Sequence, residues 1–266
     1  MFPALTPTLL PATHTNSYAI GGRDVVLVEP ATPYEDEQRE WLGWARGLVS
    51  AGRNLVAIFA THHHPDHVGG IDVLAKELGV PVWAHPETFA RIPKQENAKA
   101  WNDGDSFVLA GPRDEKWCIL HTPGHAPGHL CLLEERSRTL VVGDMVASVG
   151  TILIAPGDGV MKTYLDQLER LAALDASVAL PAHGDPIDTP SELFRKYVAH
   201  RLMREAKVLD AVRAGEAKAE DLVPIAYADT PPVLWPIARL SLLAHLEKLV
   251  TEGKVAQSAA ETFRVV

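Results

Sequence analysis

Apolar residues follow two different periods along this chain, and the switches between them predict its elements. Short apolar or alternating runs bounded by turn residues predict strands, whereas apolar positions spaced three and four apart predict helices. Ser17–Ile20 and Val25–Val28 flank the turn Gly21-Gly22-Arg23-Asp24 and read as a hairpin. Trp41, Leu42, Ala45 and Leu48 predict a helix over residues 35–50. Leu55–Ala60 is a short apolar run, the pattern of a buried strand. A helix over Gly70–Leu78 and a short strand Val82–Ala84 follow. Strands then predominate, at Ser106–Leu109, Lys116–Leu120, His129–Glu134 and Thr139–Val142. Leu165, Leu168, Leu171 and Leu174 share one side of a helix over Tyr164–Leu174, and Val178–Leu180 is the last strand of this part.

The texture changes after Pro190. Three helical segments, Ser191–Ala214, Ala219–Ala228 and Pro232–Glu252, precede a short strand pair near Val255–Ser258 and Thr262–Val265. Helix, helix, helix, hairpin is the order of a winged helix. The reading is therefore an α/β domain over residues 1–189 and a small winged-helix-like domain over residues 190–266, with Pro186 and Pro190 interrupting regular structure at the junction.

Composition narrows the function classes. Apolar residues make up 47% of the 266 and charged residues 22%, ordinary values for a globular protein. No apolar run approaches the roughly 20 residues needed to span a bilayer. The start, Met1-Phe2-Pro3-Ala4-Leu5-Thr6-Pro7, lacks a basic n-region and reads as no signal peptide. Two cysteines, Cys118 and Cys131, are too few for a disulfide scaffold and read as buried reduced thiols, so the expected compartment is the cytoplasm. The net charge is −9, yet residues 191–266 carry eleven Lys/Arg against ten Asp/Glu, so the acidic excess belongs to the first domain. That does not suit a general nucleic-acid binder, although a local basic groove remains compatible with it.

The chemistry is concentrated in histidines. Eight of the twelve fall in three places: 62–67, 121–129 and 183. The segment Thr61-His62-His63-His64-Pro65-Asp66-His67 follows the buried strand directly. In extended backbone residues i and i+2 point to the same side, so His62 and His64 can reach one metal while His63 turns away. Pro65 disfavours helix through His64. Asp66 and His67 come where the chain turns and can serve a neighbouring ion. Further candidates stand at the ends of predicted strands beside glycine: His125, Asp144 and His183. Imidazoles and carboxylates without thiolates suit Zn²⁺, with Mn²⁺ or Fe²⁺ compatible.

The run His62-x-His64-x-Asp66-His67, followed in order by His125, Asp144 and His183, resembles the metallo-β-lactamase superfamily over residues 15–185, early hairpin included. The resemblance implies an αββα sandwich of two mixed sheets with helices outside. It implies that His62, His64 and His125 hold one metal, that Asp66, His67 and His183 hold a second, and that Asp144 bridges them. It further implies a nucleophilic water or hydroxide between the metals, with Asp66 and Asp144 as the catalytic carboxylates. Three details narrow it. His64 stands where flavin-linked di-iron members carry Glu, which argues against redox chemistry. True metallo-β-lactamases lack the bridging Asp. Many hydrolytic members have Ile-Asp-Thr-Gly after the first hairpin, whereas this chain has Val28-Glu29-Pro30-Ala31, so Glu29 replaces the Asp and the glycine is missing.

The C-terminal part resembles the winged-helix appendix of the beta-lactamase-like protein 2 group. The residues that carry this are His200-Arg201 with Arg204-Glu205, then Ala244–Leu249 and Glu252-Gly253-Lys254-Val255. That group includes a metal-dependent endoribonuclease and fungal thioesterases that release polyketides. Three functions stay open: a hydrolase of a small ester, thioester or lactone; an endoribonuclease on single-stranded RNA, favoured by six basic against three acidic residues within Ser191–Arg213; and a non-catalytic winged-helix module. The expected partner is a small-molecule substrate, with RNA second, no membrane, and a homodimer compatible with the apolar helix from Pro232. Elsewhere the readings are plainer. His14 and His85 are expected at the surface, His121 in packing, and His129 either beside a ligand or simply opening a strand. Tyr164 is a candidate substrate contact, and His200-Arg201 reads as a helix-surface pair, with a place at the active-site mouth as the alternative.

Overall fold

The computed structural model describes all 266 residues. By contacts the chain sorts into two units. The first holds residues 1–122, 126–151 and 175–190; the second holds 123–125, 152–174 and 191–266.

Two β-sheets build the first unit. In chain order its first half contains β1 (Phe2–Leu5), β2 (His14–Ile20), β3 (Asp24–Val28), α1 (Glu35–Ser50), β4 (Asn54–Phe59), α2 (Pro65–Val68), α3 (Ile71–Leu78), β5 (Val82–Ala84), α4 (Pro86–Phe89) and β6 (Ala98–Ala100). The six strands hydrogen-bond in sequence order, antiparallel from β1 to β3 and parallel from β3 to β6. Then come β7 (Ser106–Leu109), β8 (Glu115–His121), β9 (Leu130–Glu134), β10 (Thr139–Gly143), α5 (Met161–Ala172) of the second unit, and β11 (Val178–Pro181). The second sheet has the order β11-β10-β9-β8-β7, with only the β10–β11 pair parallel.

Side-chain alternation explains why the central strands are continuously apolar. Val26, Val28, Ala57 and Phe59 face one cluster, together with Phe107, Trp117, Ile119, Leu130, Leu132 and Val141 of the other sheet. Val25, Leu27, Ile58 and Ala60 face the opposite cluster, against Trp41, Leu42 and Ala45 of α1 and Leu74 of α3. Both faces of β3 and β4 are therefore buried, as a parallel sheet requires. Parallel pairing also places strand ends level. Val28 pairs with Phe59, and Gly143 with Pro181, so the residues that follow these strands leave the sheets at matching heights.

The rest of the second unit holds α6 (Pro190–Arg213), β12 (Ala217–Lys218), α7 (Ala219–Ala226), a 3-10 turn Pro232–Leu234, α8 (Trp235–Thr251), β13 (Val255–Ala259) and β14 (Thr262–Val265). Its core joins Val208 and Val212 of α6, Leu222 of α7, Leu242, Leu246 and Leu249 of α8, and Phe263 of β14. The three-stranded sheet β12-β14-β13 completes a winged helix. No helix of the chain is long and apolar enough to cross a membrane.

Several sequence expectations need correction. Cys131 is buried, but Cys118 is only half-buried and lies 3.4 Å from Glu135 Oε1, because outward positions of β8 face solvent. His85 is buried and stacks on His121, with ring centroids 4.1 Å apart. Tyr164 is fully buried, so it is not an exposed substrate contact. His200 is exposed as expected, but its neighbour Arg201 is buried.

Candidate metal centre

The histidine segment begins where β4 ends. Thr61 is tied down on two sides: Leu130 N donates to its carbonyl at 2.9 Å, and its hydroxyl donates to Glu29 Oε1 at 2.5 Å. Pro65 is the first residue of α2, where a missing N–H costs nothing, and this keeps His64 extended. His62 Nε2 and His64 Nδ1 stand 3.0 Å apart, so the same-side parity expected for them holds. His63 stacks edge-on against His64 at 4.8 Å.

Most of the histidine rings are oriented by a common device. The Thr61 hydroxyl already donates to Glu29, so it accepts from Nδ1–H of His62 at 3.0 Å. His67 Nδ1 donates to Glu29 Oε1 at 3.2 Å. His183 Nδ1 donates to the carbonyl of His14, and His125 Nδ1 to that of Leu153, both at 3.0 Å. Each acceptor fixes a proton on Nδ1, so Nε2 is the nitrogen left to face a metal.

Within the first unit, His67 Nε2 lies 3.5 Å from Asp144 Oδ1 and 3.8 Å from Asp66 Oδ2. His183 Nε2 lies 3.4 Å from the same Asp144 oxygen and 3.6 Å from the same Asp66 oxygen. His62, His67 and Asp144 form one group of potential ligand atoms lying within 4.8 Å of one another, and Asp66, His67 and His183 form another. His67 Nε2 is completely buried and has no hydrogen-bond partner. Ligand atoms around a tetrahedral ion at roughly 2.1 Å stand about 3.4 Å apart. The spacings here match that edge and are long for hydrogen bonds. The donor set fits a divalent cation.

The electrostatics agree. Burial works against a charged His67 ring, but the carboxylates of Asp144, Asp66 and Glu29 outweigh it and hold its pKa well above the usual histidine value. Burial would likewise raise Asp144, yet His67 and His183 hold it well below the usual carboxylate range. His183 is raised as well: burial opposes this, and Asp144 prevails. Carboxylates crowded round buried imidazoles demand positive charge, and a metal ion supplies it without protonating its own ligands.

Two supporting residues carry more than the sequence suggested. Glu29 holds both Thr61 and His67, and it does so from a left-handed backbone (φ 62°) whose carbonyl accepts from the Ser17 hydroxyl. The positive φ falls on Glu29 rather than Ala31, so the missing glycine leaves the loop intact. His129 is the second. Its Nε2 accepts from the backbone N–H of Asp144 at 3.1 Å, and its Nδ1 donates to Thr122 Oγ1 at 2.8 Å. This contact requires Gly143. At φ 47° a Cβ there would come within 2.6 Å of His129 Nε2. The signal for Glu29 was present in its place at a strand end; nothing local in the sequence gave the bond from Asp144 to His129.

A histidine-aspartate centre at the ends of two face-to-face mixed sheets defines a metal-dependent hydrolase fold. The chain belongs to the metallo-β-lactamase superfamily, whose family model matches residues 10–183, and it carries a beta-lactamase associated winged helix domain matched over residues 219–262. Its architecture is the αββα fold of that family with a C-terminal winged helix. It is similar to a "Beta-lactamase-like protein 2 homolog" of Drosophila melanogaster, 29% identical over 97% of this chain and 90% of that protein. "Thioesterase pkgB" of Emericella nidulans is 29% identical over 78% of this chain and 56% of its own length. Among solved structures, a metallo-beta-lactamase family protein from Thermus thermophilus superposes with a TM-score of 0.80 at 24% identity, over 100% of this chain and 98% of that one.

Proposed function

We propose that this chain is a binuclear metal-dependent hydrolase acting on an ester, thioester or lactone. The observation that carries the reading is the buried, unpartnered His67 Nε2 facing the carboxylates of Asp66 and Asp144. His62, His64 and His125 would hold one metal and Asp66, His67 and His183 the other, with Asp144 shared. Bound metals would supply Lewis acidity and lower the pKa of water from 15.7 towards about 7. The chain's own residues supply the rest. Glu29, the Thr61 hydroxyl and the His14 and Leu153 carbonyls keep the imidazoles in the Nε2-binding tautomer. His129 holds the Asp144 backbone. Asp66, the more exposed of the two carboxylates, would accept the proton of the attacking water and return it to the alcohol or thiol that leaves as the acyl C–O or C–S bond breaks.

Two fungal relatives are named thioesterases, the pkgB protein and an "Atrochrysone carboxyl ACP thioesterase" of Pseudocercospora fijiensis, 27% identical over 91% of this chain. They support an acyl substrate, as does the acidic first domain. The donor set suits Zn²⁺, and a solved structural neighbour described in a di-iron-bound form makes Fe²⁺ the alternative to test. The test is a panel of thioesters, esters, lactones and unstructured RNA, run before chelation, after chelation and after adding back Zn²⁺ or Fe²⁺. Thioester or ester turnover that vanishes and returns is expected. Metal-dependent cleavage of RNA alone, or no turnover of any member by the metal-loaded chain, overturns the reading.

A further inference from the structure

Arg201 is a buried arginine that no part of the proposed chemistry uses. It lies in α6, 4% exposed, and a guanidinium is costly to bury without partners. Its Nη2 donates to the carbonyl of Ile152, and its guanidinium carbon stands 5.7 Å from the ring centroid of the fully buried Tyr164 in α5. The next carbonyl along, that of Leu153, accepts from His125 Nδ1 at 3.0 Å. Consecutive carbonyls of one short segment thus bind Arg201 and the His125 ring. The side chains flanking Leu153, Ile152 and Ile154, are 3% and 0% exposed, so the segment has little freedom to shift alone.

The turn that carries His125 is seated on the same framework. Val160 N donates to the Gly124 carbonyl at 2.9 Å. Gly124 lies directly on the start of α5: a Cβ there would be 2.3 Å from Tyr164 N, and its φ of 126° also excludes an ordinary side chain. The residues involved, 123–125, 152–164 and Arg201, all belong to one contact-defined unit.

We propose that Arg201 is a positioning residue for the metal site, acting through the Ile152–Leu153 carbonyls to set the tautomer and orientation of His125. The proposal rests on the reading of His125 as a metal ligand. It assigns the His200-Arg201 motif of α6 a purpose: the arginine serves a ligand rather than a substrate. Removing a partner that orients a ligand typically weakens metal binding 10–100-fold.

The test is Zn²⁺ titration of the chelator-stripped full chain against a competing chromophoric chelator, which resolves two binding steps, for wild type, Arg201→Met, Arg201→Lys and His125→Ala. Arg201→Met is expected to weaken one step about 10- to 100-fold and leave the other within about twofold. Arg201→Lys, which keeps the charge but not the planar fork, should fall between. The Co²⁺-substituted chain gives a second readout: only the ligand-field spectrum of the weakened position should change. A folded Arg201→Met with both steps unchanged, or both weakened equally as general loosening would produce, overturns the proposal. If the Met variant does not fold, the Lys variant is judged by the same criterion. His125→Ala separates the two layers. Loss of one step there with unchanged Arg201 variants sinks only this inference, whereas two intact steps in His125→Ala sink the ligand reading and this inference with it.

Discussion

The chain buries two clusters of charged groups, and they are balanced in opposite ways. In the second unit the buried Arg204 and Glu205 each have a charged counterpart. Arg204 makes a forked pair with Asp229, donates to the Ala226 carbonyl at 2.7 Å and lies over the Tyr227 ring. Glu205 bonds Lys248 at 2.8 Å beside the buried His245. The first unit gathers Glu29, Asp66 and Asp144 around His67 and His183, yet both buried arginines of the chain, Arg201 and Arg204, belong to the other unit. A cluster that neutralises itself is architecture. One that concentrates carboxylates in a unit without a buried arginine is a candidate cation site.

That contrast can be broken at several points. The largest effect is expected at Asp144, the carboxylate proposed above to be shared. Asp144→Ala should lower kcat by a factor on the order of 10³ or more, since metal-based charge stabilisation is worth several kcal/mol, and metal content measured on the purified protein should fall with it. A cooperative melt of the same variant checks that the loss of activity is not loss of the fold.

Glu205→Ala should do the reverse. It removes one of the two carboxylates paired with the 8%-exposed Lys248, which keeps Glu252 at 2.7 Å, and should cost about 1–2 kcal/mol in denaturant unfolding while metal content stays at the wild-type level. The pair also carries a pH signature. Burial alone would raise Glu205, but His245 and Lys248 hold its pKa below the usual value, so its contribution is present above about pH 4.3 and lost as pH falls through the folded value. Lys248 is raised against the pull of burial by Glu205 and Glu252, so its contribution is complete below about pH 10.4 and lost as pH rises through the folded value. Wild type should therefore lose more stability than Glu205→Ala between pH 5 and pH 3, with parallel curves contradicting the assignment. The smallest effect belongs to Asp229, which is 46% exposed. Asp229→Ala should cost only about 1 kcal/mol or less, because Arg204 keeps the Ala226 carbonyl.

The sequence made the metal segment legible because its signal is local. Parity at a strand end puts His62 and His64 together, and Pro65 stops a helix from undoing it. The strands that the hydrophobic pattern did not predict, β1, β6 and β12, all lie at sheet edges. An edge strand is short, pairs on one side only and need not alternate; β6 is the fully exposed Ala-Lys-Ala. Arg201 reads as helix surface because charge on a helix usually faces water, and nothing in the pattern marks Arg204 and Glu205 as buried. Here their neighbours are Ile152, Asp229 and Lys248, distant in sequence, and no local pattern announces them.

The commitment of Nδ1 to an acceptor in His62, His67, His125 and His183 bears on how fast the centre fills. Rings already held with Nε2 outward need not flip or change tautomer when an ion arrives. Uptake should then be governed by shedding the ion's water, with no folding step in the loading curve, unlike small domains that exist only once their metal is bound. His64 is the exception, since it must give up its hydrogen bond to His62.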